Sequence, residues 1–370
     1  MCLRTAFIPL LIVLLMVVPG CAGKDQKPVS TNIGEAGEIR KFCDENHGQP
    51  RIEQVSGHVW AALGFELANT MLIHTDEGNV IIDTSICTAA ARAVKKMMLE
   101  KAPAGPVKAI IYTHSHVDHT MGASVWAEPV TRIWATDAFI PHFFKQYSVF
   151  LKAETARGMR QHAYHLSRDE VPCSTVGPIM RVYSLEDMGS PGVLMPTDTF
   201  SGVRVLEIGG LKIELHEAHG ETHDTLYVWV PADKTLLCAD DYYSVFPNLY
   251  TIRGTSPRPV DDWIKSLDDM RRLEAEHLAP SHNKPIHGKE EIATRLTGYR
   301  DAIQYVRDDV IRRANRRKTW IPSPRVLSCP LSLLPCPTCA KVMARLTGRR
   351  GPFTPITWAG LMGGLIPSIP

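Results

Sequence analysis

Apolar residues recur along the chain with two different periods, which together predict strands and helices in mixed order. Two short apolar runs at 70–73 and 80–83 flank a turn sequence and predict a β-hairpin. The spacing over 88–101 is helical, and the β-branched run at 107–112 is typical of a strand buried on both faces. Further strands are predicted at 203–206, 211–215, 226–230 and 236–238.

Helical spacing returns in three other places, at 137–166, 261–276 and 289–313. The segment 167–200 contains four prolines and predicts a loop. Pairs of strands with helices between them are typical of an α/β domain whose sheets are covered by helices. No internal repeat interrupts this order.

Composition changes the picture mainly through the position of the charges. With 44% hydrophobic and 22% charged residues, the chain is typical of globular proteins, which argues against a fibrous, wholly disordered or multi-spanning membrane protein. Residues 1–309 contain 31 basic and 39 acidic residues, a net charge of −8, whereas residues 310–370 contain 10 basic and no acidic residues. Since the acidic part offers no broad basic face, we expect no nucleic-acid partner.

The first residues have the pattern of an export signal. An apolar stretch at 7–18 is too short for a comfortable membrane span, and residues 1–21 as a whole predict a signal peptide. Its end resembles a bacterial lipobox, which predicts lipidation of Cys21; cleavage after Ala22 and an uncut anchor are the alternatives. We therefore expect a periplasmic or cell-envelope lipoprotein, or a secreted protein, that contacts the membrane only through the anchor, with a tether at 22–45.

Export makes disulfides possible. Four cysteines lie between the signal and the basic tail: Cys43, Cys87, Cys173 and Cys238. Their spacing fits no metal knuckle and predicts no particular pairing, so the default interpretation is that they are small buried residues.

The densest cluster of candidate metal ligands directly follows the predicted strand at 107–112. His114, His116, Asp118 and His119 lie within six positions. Alternation in a loop that leaves a strand would send the side chains of His114 and His116 to the same side, toward one ion. Asp118 and His119 can then reach a second ion. Imidazole suits zinc and similar ions, and carboxylate favours an oxygen-rich second site, so the run predicts metal binding rather than a solvated polar loop.

This His-x-His-x-Asp-His run resembles the motif of the metallo-β-lactamase-fold hydrolases, and the resemblance extends over about residues 50–300. It implies an αββα sandwich over 46–288, with metal ions between the edges of two sheets. It also implies further ligands after later strands, for which Glu221, Asp240 and His282 are the candidates. The alternatives left open are His219 and His223 in place of Glu221, and Asp241, otherwise an outward-facing or capping acid, in place of Asp240.

Two features resemble the alkylsulfatase branch of this superfamily, which hydrolyses dodecyl sulfate and related esters. Glu221 stands where the common pattern has His, and residues 248–254 closely resemble a signature of the branch. The resemblance implies that Asn248 and Arg253 hold the sulfate, and an amide donor with a guanidinium fork suits a tetrahedral oxyanion. Tyr164 and Arg258 are weaker candidates for substrate contact; for them the alternatives are packing and a solvated loop.

The resemblance implies two divalent metal ions, with zinc as the family default and manganese or iron as alternatives because Glu replaces His. The implied first site holds His114, His116 and Glu221, the second holds Asp118, His119 and His282, and Asp240 bridges them. A hydroxide shared by the ions would cleave an amphiphilic sulfate ester, with Asp118, Asn248 and Arg253 as the catalytic set. The alternatives are another ester, lactone, thioester or β-lactam as substrate, and a catalytically dead, lipid-anchored remnant.

The end of the chain departs from this family. Residues 289–315 resemble the start of a helical dimerisation region that makes alkylsulfatases homodimers. Residues 316–370 are acid-free and rich in Pro, and this proline density is incompatible with the expected helices. We therefore predict that this tail is a frameshift product rather than a folded domain, which would leave the dimerisation region damaged; a genuine basic tail is the alternative.

Overall fold

The computed structural model describes residues 33–316, apart from 168–170, 172 and 252. The predicted signal peptide with Cys21, and all but the first residue of the predicted tail, therefore lie outside the described residues. Residues 33–45 of the tether predicted at 22–45 instead belong to helix α1 (Ile33–Asn46). Cys43 on this helix is buried and disulfide-bonded, which attaches the helix to the domain.

The first sheet has seven strands that neighbour one another in chain order. They are β1 (Arg51–Gln54), β2 (Val59–Leu63), β3 (Thr70–Thr75), β4 (Gly78–Ile82), β5 (Val107–Ile111), β6 (Arg132–Thr136) and β7 (Asp198–Phe200). Strands β1 to β4 are antiparallel, and β4 to β7 are parallel. The predicted hairpin at 70–83 is confirmed as β3 and β4, and the predicted strand at 107–112 is confirmed as β5.

Three of the next five helices cover the outer face of this sheet. In chain order the five are α2 (Thr88–Lys101), α3 (Val117–Thr120), α4 (Ala123–Trp126), α5 (Phe139–Phe144) and, after a π-helical turn at Lys145–Val149, α6 (Leu151–Gln161). Apolar side chains from α2, α4 and α5, such as Val94, Trp126 and Phe139, pack against Ile81 and Ile110 of the sheet. The described residues of 162–197 are then mostly without regular structure, as predicted for 167–200, but residues 198–200 of that predicted loop form strand β7.

The second sheet has six strands and carries the last two helices on its outer face. The strands are β8 (Val203–Ile208), β9 (Leu211–Glu217), β10 (Leu226–Val230), β11 (Thr235–Leu237), β12 (His277–Ala279) and β13 (Ile286–His287). The helices are α7 (Val260–Arg272) and α8 (Lys289–Asn315). Among the helices of residues 33–316, none is both long enough and apolar enough to cross a bilayer.

The two sheets pack face to face, and the alternation along β10 shows how. Leu226, Val228 and Val230 join a core that also contains residues of the first sheet, while Tyr227 and Trp229 pack on the side of α7 and α8. A strand that is buried on both faces needs a layer on each side, and each of these aliphatic side chains contributes about 1.5–3 kcal/mol by leaving water. The layers therefore follow the order helix, sheet, sheet, helix, and the predicted αββα sandwich is confirmed.

Candidate metal centre

Strand ends from both sheets meet at one edge of the sandwich and bring six of the predicted ligands together. One group holds His114, His116 and Asp240, and the other holds Asp118, His119 and His282. Within each group, one ligand atom from each residue lies within 4.8 Å of the others. Residues that are more than 160 positions apart in the chain thus form one cluster, as the strand order predicts.

Asp240 lies between the two groups. Its Oδ2 atom is 3.7 Å from Nε2 of His114, 3.6 Å from Nε2 of His119 and 3.1 Å from Nε2 of His282. The phenolic hydroxyl of Tyr243 donates a hydrogen bond to the same oxygen over 3.0 Å. One carboxylate therefore faces ligands of both groups, which is the placement that a bridging ligand requires.

The donor set fits divalent metal ions. His119 Nε2 and Asp240 Oδ1 are fully buried and have no hydrogen-bond partner among the described residues. A buried polar atom without a partner is costly, by about 1–3 kcal/mol, and a cation between the side chains would remove that cost. Imidazole nitrogens combined with carboxylate oxygens are the ligands of zinc and related ions.

Burial and mutual charge shift the pKa values of these groups in opposite directions. Burial lowers the pKa of His114 to about 3. Burial also acts to lower the pKa of His282, but the carboxylates of Asp240 and Asp118 raise it to about 9. Two carboxylates this close to His282 thus favour positive charge beside them, and a metal ion held between the side chains would supply it.

Hydrogen bonds from the opposite ring atoms turn the imidazoles toward this centre. His119 Nδ1 lies 2.6 Å from Oδ2 of Asp83, and His282 Nδ1 lies 2.6 Å from the carbonyl oxygen of Leu67. Asp83 also accepts hydrogen bonds from the backbone N–H and the hydroxyl of Thr113, both over 2.8 Å. Such partners fix the tautomer and the orientation of a ligating histidine. The sequence pattern did not indicate this role of Asp83, although the acid stands at the end of a predicted strand.

The backbone around the centre is strained. Asp83, Ser85, Ala239 and Asn283 have φ values of 58°, 81°, 53° and 67°, in the left-handed region that favours glycine. Each such residue costs of order 1–3 kcal/mol and persists only where the surrounding structure imposes it. All four lie in loops that carry or support the candidate ligands, so the strain coincides with the site.

Glu221 lies beside the first group but outside the set whose ligand atoms all lie within 4.8 Å of one another. Its Oε1 atom is 3.6 Å from Nδ1 of His116, and both of its oxygens contact the guanidinium of Arg258. Burial raises the pKa of Glu221, and the charge of Arg258 opposes that rise. The alternative that placed Arg258 in a solvated loop is wrong, because this side chain is buried and lies over the ring of Trp263.

The alternative ligands occupy other positions. His219 is 39% exposed in its side chain and lies 3.7 Å from Glu217, and His223 Nε2 lies 3.1 Å from a backbone carbonyl. Asp241 is fully buried, and its Oδ1 accepts the backbone N–H of Glu221 over 3.0 Å. The interpretation of Asp241 as an outward-facing acid is therefore wrong; it supports the loop that carries Glu221.

A cleft of about 210 Å³ opens beside the first group. Its lining combines His116 and Glu221 with residues from α5 to α6 and from the loop at 254–257. Nη2 of Arg253 lies 3.1 Å from Nε2 of His116, so the predicted sulfate-binding arginine is next to the centre. Asn248 is exposed, and its side chain makes no hydrogen bond to the ligand groups or to any other described residue.

The last predicted substrate contact, Tyr164, is buried among Leu67, Ile86 and other apolar residues rather than in the cleft. Its hydroxyl is 3.2 Å from that of Tyr183. These contacts agree with the alternative that Tyr164 is a packing residue, and its position is explained by apolar burial.

Cys43 and Cys173 form a disulfide with a Cα–Cα distance of 6.0 Å, which spacing alone did not predict. It joins α1 to a loop that reaches the centre. In this loop the carbonyl oxygen of Val176 lies 3.2 Å from Nδ1 of His282, and that of Thr175 accepts the side-chain amide of Asn283 over 3.1 Å. The bridge therefore supports the backbone beside a candidate ligand. Cys87 and Cys238 are free and buried, as the default interpretation expects.

Comparisons with known proteins agree with this geometry. Residues 63–282 match the metallo-beta-lactamase superfamily. A linear primary-alkylsulfatase from a Pseudomonas species is 31% identical over 255 residues, which cover 67% of this chain and 47% of that relative. An (R)-specific secondary-alkylsulfatase from Pseudomonas is 24% identical over 280 residues, covering 72% of this chain and 41% of the relative. The chain thus spans less than half the length of these curated relatives.

A solved structure has the same fold. The stereoselective inverting sec-alkylsulfatase Pisa1 from Pseudomonas superposes with a TM-score of 0.73 at 20% identity, covering 84% of this chain and 54% of that chain. Two packed sheets, the ligand cluster at their edge and a family match over more than half of the sequence all agree. The chain belongs to the metallo-β-lactamase superfamily and is related to the alkylsulfatases.

Proposed function

We propose that the protein is a dinuclear-metal hydrolase that cleaves sulfate esters of alkyl alcohols. The observation that carries this proposal is the pair of ligand groups that share Asp240, with Arg253 beside His116 at the edge of the cleft. The relatives named alkylsulfatases support the substrate class. A small amphiphile with an anionic head is thus the proposed substrate.

The residues divide into two proposed metal sites. His114, His116 and Asp240 would hold one ion, with Glu221 within reach, and Asp118, His119 and His282 would hold the other. Zinc is the ion that we propose, because these donors favour it. When bound, two such ions lower the pKa of water and neutralise charge that develops on the ester.

The remaining steps belong to the side chains of the chain itself. The guanidinium of Arg253 lies beside His116, which lines the cleft, and from there it would bind the sulfate oxygens and orient the ester. Asp83 and Tyr243 keep His119 and Asp240 in position through hydrogen bonds. The proposed role of Asn248 in holding the sulfate rests on the sequence signature alone, since this residue is exposed.

The test is the release of inorganic sulfate from dodecyl sulfate by the full chain loaded with zinc, with dodecyl acetate as the neutral comparison. We expect sulfate release, and we expect Asp240→Asn and the Asn248→Ala/Arg253→Ala pair to reduce it strongly. The matched control is Asp309→Asn, a buried carboxylate paired with Arg312 and Arg313 on α8. Turnover of dodecyl sulfate that survives the Asn248/Arg253 pair would contradict the proposed substrate class; turnover of only the acetate would favour another ester.

We also propose that the protein is exported and lipidated at Cys21, which would place the hydrolase at the cell envelope. Incorporation of a labelled fatty acid into the full chain, and its loss in Cys21→Ala, tests this proposal. Soluble, unlabelled wild-type protein outside the cell would favour the alternative of secretion.

A further inference from the structure

The guanidinium of Arg253 is held from the side of α6. Its Nε lies 3.4 Å from Oε2 of Glu154, while Nη2 lies 3.1 Å from Nε2 of His116. The two contacts involve different nitrogens of the same planar group. Glu154 thus pairs with one nitrogen of a guanidinium whose Nη2 lies beside a candidate ligand.

Glu154 is a buried acid with two cationic neighbours. The residue is only 7% exposed, and burial raises the pKa of its carboxyl, with the charges of Arg253 and Arg157 opposing that rise. A buried carboxylate is expensive unless a cation pairs with it. It also lines the cleft. The burial of this glutamate is therefore explained by its cationic neighbours rather than by apolar packing, and Arg253 is the one with which it forms an ion pair.

Two further contacts from α6 hold the backbone of the same loop. The side-chain oxygen of Gln161 accepts the backbone N–H of Arg253 over 3.2 Å. Gly254 has a φ of 87°, and the guanidinium of Arg157 lies so close to it that a Cβ atom there would be 2.7 Å from Nη1. Helix α6 therefore fixes the backbone at 253–254 and the direction of the arginine side chain together.

We propose that Glu154 is the positioning residue for Arg253: it holds the guanidinium at Nε, so that Nη1 stays free beside the cleft to receive the anionic head of the substrate. This inference rests on the proposed function, because it gives Arg253 the role of binding a sulfate group. Nη1 of Arg253 donates no hydrogen bond to the described residues, so it is available to an oxyanion.

The test measures inorganic sulfate binding by calorimetry and steady-state kinetics with dodecyl sulfate, on the full zinc-loaded chain. Variants are Glu154→Gln, which keeps the shape, Arg253→Ala, and the double variant. We expect Glu154→Gln to weaken sulfate binding and to raise KM for dodecyl sulfate by about tenfold to a hundredfold, with a smaller change in kcat. The double variant should bind sulfate no more weakly than Arg253→Ala, because the two residues act as one unit.

Asp309→Asn is the matched control, because it neutralises another buried helical carboxylate that pairs with arginines. It should leave sulfate binding unchanged. Thermal unfolding of all variants distinguishes loss of the fold from a misplaced Arg253 guanidinium in a folded protein. Glu154→Gln that binds sulfate as tightly as the wild type, or effects that simply add in the double variant, would overturn the inference. Wild-type protein that binds no sulfate would also overturn it. Weakened sulfate binding in Glu154→Gln, together with no hydrolysis of dodecyl sulfate by any form, would instead uphold the role of Glu154 and reject the proposed reaction.

Discussion

Replacement of Asp83 by Asn isolates the support that the fold gives to one candidate ligand. The two carboxylate oxygens of Asp83 accept hydrogen bonds from Thr113 N–H at Oδ1 and from His119 Nδ1 at Oδ2. An asparagine has only one oxygen, so in either orientation its NH₂ group faces one of these donors. If the amide faces His119, the imidazole takes the other tautomer, in which Nε2 carries the proton and cannot bind a metal ion.

The size of the effect follows from this geometry. The loss of a buried partner that orients a ligating histidine typically costs about 10- to 100-fold in metal affinity, equivalent to about 1.4–2.8 kcal/mol. Because His119 belongs to the group with Asp118 and His282, the loss should fall on the second proposed site. The first site should keep its affinity to within a few-fold.

Competition with a chromophoric chelator measures both affinities on the full chain. Asp233→Asn is the matched control, since Asp233 accepts a 2.8 Å hydrogen bond from Nδ1 of His58 at the opposite end of β10. It makes the same chemical change to a carboxylate–imidazole pair outside the centre, so zinc binding should be unchanged. Unaltered zinc stoichiometry and affinity in Asp83→Asn would refute the reasoning about His119.

Three other changes test the packing around the centre. The Cys43→Ser/Cys173→Ser variant should lose up to about 5 kcal/mol of unfolding free energy in urea, since the bridge spans 130 residues, and reduction of the wild type should reproduce that loss. Gly122→Ala puts a Cβ atom 1.9 Å from a backbone oxygen, so it should cost about 1–3 kcal/mol of unfolding free energy and lower the melting temperature. Gly158→Ala, whose Cβ atom would meet no other atom within 4 Å, should not lower it. Arg258→Gln leaves a buried carboxylate without its cation and should cost about 3–5 kcal/mol in urea unfolding; a change below about 1 kcal/mol would show that the pair is not needed.

Local pattern was sufficient for the elements that carry the ligands. The hairpin β3–β4, helix α2 and strand β5 follow from spacing and turn residues within a few positions, and the His-rich run follows β5 directly. Strands β1, β2, β6, β7 and β13 were not predicted. In β2, the run Val-Trp-Ala-Ala-Leu is buried at every position and has no alternation that would distinguish a strand from a buried helix.

The missed residues act through contacts that are distant in sequence. The burial of Arg258 could not be predicted from local sequence, because its partner Glu221 lies 37 positions earlier. Cys43 and Cys173 are 130 positions apart, and a cysteine count cannot select that pair. Local sequence does not distinguish Glu154 from an ordinary helical acid, because its contact with Arg253 forms only in the folded chain. Sequence could therefore locate the ligands, whereas the groups that orient them required the packed structure.

The most direct test of the central claim is the amount of inorganic sulfate that the zinc-loaded full chain releases from dodecyl sulfate, measured beside Asp240→Asn with its metal content determined. Our account predicts two zinc ions per chain and steady sulfate release for the wild type, and loss of both metal and release for the variant, because Asp240 faces both ligand groups. A wild-type protein that holds two zinc ions but releases no sulfate from dodecyl sulfate, or that releases it with Asp240 replaced, would contradict the account.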